Sequence, residues 1–118
     1  MRKQKPTIDE QLMQAFYNFN LTKSNHSWAE NQSFDADIAC REAQREYDQT
    51  FYRYVEFGTR EHLQQHEIAR IKLENAYKKS LEAKSQVKIA FCKFRKAEKL
   101  YHKLQKKSGK TTPQFGGN

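Results

Sequence analysis

Residues 73–104 read LENAYKKSLEAKSQVKIAFCKFRKAEKLYHKL, with neither Gly nor Pro anywhere in the run. Advancing by 100° per residue, Leu73, Ala76, Ser80, Ala83, Val87, Ala90, Phe94, Ala97, Tyr101 and Leu104 recur at alternating steps of three and four and fall on one narrow stripe. That period is the seam of a helix packed on another helix. The small residues at 76, 80, 83, 90 and 97 let a facing backbone come close. Lys84, Lys88, Arg95, Lys96, Lys99, Lys103, Lys106 and Lys107 gather on roughly the opposite side. The stretch therefore predicts a long helix that is packed along one line and cationic on the other.

Working outward, nothing stops this helix between about Arg60 and Lys107, a length of roughly 70 Å at 1.5 Å per residue. Gly58–Thr59 precedes it, and Gly past a C-terminus followed by Thr as a fresh N-cap predicts a break there. Upstream, Ala36, Cys40, Ala43, Tyr47, Thr50, Tyr54 and Phe57 repeat the same three-four alternation. Ser33 is placed to cap that helix, with Asp35 and Asp37 in its first turn. Nearer the start, TIDE (7–10) reads as a capping box opening a helix with Ile8, Leu12, Ala15, Phe16 and Phe19 on one face. NLTKSNHSWAENQS (20–33) shows no apolar period and is expected to be a loop, with Trp28 filling a gap between helices.

The fold expected is all-α: a short N-terminal helix, then an antiparallel helical hairpin or coiled coil with a long basic C-terminal helix. The helices fall at about 7–19, 34–57 and 60–107, in one helical domain spanning 1–107. Residues 108–118, SGKTTPQFGGN, form a disordered tail. A helix over 34–57 folded back on 60–107 reaches only to about residue 82. That leaves Ala83, Val87, Ala90, Phe94, Ala97, Tyr101 and Leu104 uncovered, and an exposed seam of this length is rare on a monomer. A homodimer through the C-terminal seam follows as an expectation.

Composition bounds what such a chain can do. Of 118 residues, 36% are apolar and 31% charged, with a mean hydropathy of −1.08, so no large globular core is expected. The net charge of +8 is uneven. Residues 1–77 hold 10 Lys and Arg against 12 Asp and Glu, whereas residues 78–118 hold 12 against 2. Such a split points to an anionic partner for the basic part or to contact between the two parts. Lysine dominates, and an ammonium lacks the fork geometry that reads base edges, so backbone contact independent of sequence is expected.

Other readings carry less. His62 and His66 share a helix face but lack a third ligand, so no metal is expected. FYRYVEF (51–57) could stack bases, but Phe51, Tyr54 and Val55 are expected to pack into the core. SGKT (108–111) resembles the end of a phosphate loop but lacks the upstream Gly and strand. No catalytic set or cofactor motif is present, and the chain is not expected to be an enzyme. Cys40 and Cys92 have no metal or disulfide spacing and fit a reducing cytoplasm. MRKQKPTIDEQ has no apolar run after its basic residues, so no signal peptide is expected. The apolar stripe is too narrow and Ala-rich for a membrane-surface helix. The function expected is non-catalytic binding of nucleic acid through the lysine face. The alternative is a helical adaptor, inhibitor or chaperone-like protein, such as a phage regulator or secretion-system accessory, that docks an acidic protein partner.

Overall fold

The computed structural model describes residues 6–109, so the expectation of a disordered 108–118 tail lies almost wholly outside the described residues. Two helices account for nearly all of them: α1, Ile8–Phe57, and α2, Arg60–Ser108, packed against each other as an all-α hairpin. Thr7 caps α1, its Oγ1 accepting from the Glu10 amide at 3.1 Å while its carbonyl accepts from Gln11 at 2.9 Å. Asp9 and Glu10 then sit at the positive end of the helix dipole. Gly58 closes α1 in the left-handed region at φ +64°, where a side chain would be strained, and donates to the Tyr54 carbonyl at 2.7 Å. Thr59 starts α2 by accepting from the His62 amide at 3.2 Å. The break at Gly58–Thr59 stands where the sequence puts it.

Residues 20–33 are a correction. They form no loop; α1 is one helix of 50 residues. The segment contains no Gly or Pro, and its seam positions are filled by residues that an apolar count overlooks. Phe19, Thr22, His26, Ala29, Ser33 and Ala36 continue the three-four alternation without a phase change. Thr22 turns its hydroxyl back to the Asn18 and Phe19 carbonyls at 2.9 and 3.0 Å, which hides its polarity at the interface. Ser33 is a half-buried residue inside the helix rather than a cap, and Trp28 plugs nothing: it is 64% exposed.

The described residues divide into two compact units, 6–28 with 88–109 and 29–87, here the terminal unit and the turn unit. In the terminal unit Leu12, Ala15 and Tyr101 are buried, with Phe16, Phe19 and Leu104 packed on them. Phe19 meets both Phe94 and Tyr101 edge-on, at centroid distances of 5.6 and 5.4 Å. The His26 ring stacks on Phe94. Ala97, also buried, lets the backbones approach.

The turn unit has a more polar seam. Ala69 is its most buried residue and Ala29 is also buried, but Thr50 and Ser80 are buried beside them. Each hydroxyl is satisfied. Thr50 Oγ1 donates to the Tyr47 carbonyl at 2.9 Å, which leaves a lone pair for Nδ1–H of His66 at 3.0 Å. Ser80 donates to Asp37 at 2.8 Å. The aromatic run at 51–57 departs from expectation, since Phe51 is exposed and Val55 is 63% exposed; only Tyr54 turns half inward. Successive seam positions are three and four residues apart, so only one line of this helix can face α2.

Candidate anion-binding face

The packing of α1 on α2 decides which charges meet. In the turn unit, α1 supplies carboxylates and α2 supplies cations, and they pair. Lys72 meets Glu46 at 3.2 Å and Lys84 meets Asp37 at 3.8 Å. Within α2, Arg70 bridges Glu67 at 3.0 Å and Glu74 at 2.6 Å. Its hydrogen bond to the Glu67 carboxylate, then the charges of Glu67 and Glu74, hold the guanidinium above its ordinary range. This unit carries nine Lys and Arg against eleven Asp and Glu.

The terminal unit is different. Its described residues hold nine Lys and Arg against three Asp and Glu. Eight of the nine cations stand on α2 between Lys88 and Lys107, while the α1 segment 8–28 offers only Asp9 and Glu10, both in its first turn. The hairpin therefore sets the lysine-rich end of α2 against the least charged part of α1. The acidic part of α1 belongs to the other unit.

Of the eight residues the sequence assigns to the face, seven lie in the terminal unit and are exposed. Arg95 is engaged with Glu98 one turn away. Among the described residues, no carboxylate lies within 4.0 Å of the ammonium groups of Lys88, Lys96, Lys99, Lys103, Lys106 and Lys107. Lys84 belongs to the turn unit, where its ammonium lies 3.8 Å from Asp37. Lys93 joins the face: exposed, without a carboxylate partner, and passed over because it borders the seam rather than opposing it.

The residues assigned to an oligomer seam lie between α1 and α2 of one chain. Ala97 and Tyr101 are buried, and Ala83, Val87, Ala90, Phe94 and Leu104 are half-buried. The spare seam that motivated a homodimer is met within the chain: Leu12, Phe16 and Phe19, from the segment expected to be the first helix, pack on Tyr101, while Phe19 and His26, the latter from the segment expected to be a loop, meet Phe94. The two histidines weighed as metal ligands are occupied too. His62 Nδ1 pairs with Thr59 Oγ1 and His66 Nδ1 with Thr50 Oγ1. Among the described residues, no group of three His, Cys, Asp or Glu is placed to hold a metal ion.

A groove of about 510 Å³ is lined by Pro6, Glu10, Gln11, Gln14, Ala15 and Asn18 on one side and Leu100 and Leu104 on the other. Among the described residues no helix is long and apolar enough to cross a membrane. No protein-family model matches the chain, and comparison with curated proteins and with solved structures gives no match.

Proposed function

We propose that this protein is a non-catalytic nucleic-acid-binding module that grips the phosphate backbone through the α2 lysines of the terminal unit. One observation carries the reading: seven exposed lysines, Lys88, Lys93, Lys96, Lys99, Lys103, Lys106 and Lys107, stand without a carboxylate partner among the described residues, beside a helix segment that has almost no charge to give them. Like charges three and four residues apart on a helix repel by a few tenths of a kcal/mol each. A polyanion relieves that repulsion and gains entropy from released counterions. Lysine supplies point charges rather than forks, so binding is independent of base sequence.

The experiment is a mobility-shift series with DNA and RNA of arbitrary sequence at two salt concentrations. If six phosphates are contacted, affinity falls about a thousandfold between about 50 and 200 mM salt. Changing Lys88, Lys96, Lys99 and Lys103 together to Glu abolishes the shift while circular dichroism stays helical, because all four side chains are exposed. Nucleic-acid binding that survives this reversal removes the assignment of the face. The adaptor reading draws on the same lysines and on the exposed Ile89 and Leu100 between them. It is favoured instead if no nucleic acid shifts at either salt concentration and an acidic protein is retained.

A further inference from the structure

Two stripes of exposed residues run along the terminal unit, and four of their residues, Gln11, Gln14, Asn18 and Leu100, line its groove. On α2, Ile89, Lys93, Lys96, Leu100, Lys103 and Lys107 follow one another at steps of four, three, four, three and four, so they run in a line along the helix. On α1, Gln11, Gln14, Asn18, Leu21, Asn25 and Trp28 do the same at steps of three, four, three, four and three. All twelve are exposed. That the stripes flank the same side of the helix pair is shown by the groove itself, whose walls include Gln11, Gln14 and Asn18 from one stripe and Leu100 from the other. One bank is thus cationic. The other has no charge and offers side-chain amides and an indole.

We infer that this groove binds single-stranded nucleic acid, with phosphates on the lysine bank and bases on the amide and indole bank. The inference rests on the nucleic-acid reading above and adds the form of the ligand. Unpaired bases have free edges and free faces. A carboxamide carries both a donor and an acceptor and can meet any base edge, and an exposed indole stacks on any base face. A duplex hides the faces and the Watson–Crick edges and leaves only the edges within its grooves, so it engages chiefly the lysines. An amphipathic partner helix fits less well, because it needs apolar anchors at steady helical spacing and here Leu21, Trp28, Ile89 and Leu100 alternate with amides and lysines. The one carboxylate on the groove wall, Glu10, lies at the N-terminal end of α1; the path proposed runs from Gln14 to Trp28, about 21 Å along the helix.

Trp28 is the only tryptophan in the chain, so its emission reports this bank alone. The test titrates the full chain with oligothymidylate of about 20 nucleotides, with duplex DNA of equal length, and with polyglutamate. Stacking quenches Trp28 with the single strand and leaves it nearly unchanged with the duplex. Trp28→Ala weakens single-strand binding by about tenfold and Trp28→Phe by less, while duplex binding stays the same. Since Trp28 is exposed, both variants keep the helical content of the parent. Equal affinity for single strand and duplex with a silent Trp28 overturns this inference and leaves the lysine face standing. Equal quenching by polyglutamate overturns it as well, by showing that charge suffices. Binding of neither nucleic acid overturns both readings.

Discussion

Tyr101 shows what this chain tolerates to complete its seam. The ring is 3% exposed and supports Leu12, Phe16 and Phe19, yet among the described residues its hydroxyl has no hydrogen-bond partner. A buried hydroxyl left unpaired costs about 1–3 kcal/mol. Tyr101→Phe keeps the ring and deletes the orphan, so we expect it to raise stability by about 1 kcal/mol, or roughly 4–8 °C in thermal midpoint for a domain near this size. A scanning melt checks it; a lower midpoint would mean that the hydroxyl is held by something that Phe cannot replace. The buried hydroxyls of Thr50 and Ser80 make the contrast, since each is bonded and removing either leaves His66 or Asp37 short of a partner.

At the scale of the element, the informative case is α1. Its middle third is a helix whose seam is written in Thr, His, Ala and Ser, so Ser27, exposed and away from the seam, lies deep inside regular structure. Proline there removes an intrahelical hydrogen bond and clashes with the preceding turn, and Ser27→Pro is expected to cost about 3 kcal/mol. A fall in helical dichroism and in midpoint checks this; a neutral outcome would restore the loop expected for 20–33. The second helix was legible in the sequence because Ala, Phe, Val, Tyr and Leu mark every step of its seam from Leu73 to Leu104 except Ser80. The first was legible only at its two ends, where Leu12, Phe19, Tyr47 and Tyr54 mark it. Between them, periodicity persisted in side-chain size while hydropathy lost it. The same blind spot hid the groove. A stripe of Gln, Asn, Leu and Trp looks like nothing until α2 lies beside it, and Lys93 was passed over because its meaning depends on a neighbouring helix rather than on its own.

For the whole molecule, charge and connectivity are the governing features. The lysine face was readable as a cluster, but whether α1 would neutralise it depended on register, which a seam alone does not give. With nine cations and three anions among its described residues, the terminal unit repels itself, and salt screens that repulsion over a Debye length of about 10 Å at 0.1 M. We therefore expect the thermal midpoint to rise with ionic strength. The variant carrying Glu at 88, 96, 99 and 103 should rise less; a steeper rise in the variant would place the dominant repulsion elsewhere. Connectivity adds a consequence in time. Gly58 and Thr59 alone join the helices, so partners in the turn unit are near in sequence, Thr50 and His66 only 16 residues apart and Asp37 and Ser80 only 43. Phe19 and Phe94 must close a far longer stretch of chain, and the entropy of closing a loop grows with its length. Assembly accordingly zips away from the bend, and the lysine-rich end of α2 is the last part to pack and the first to fray.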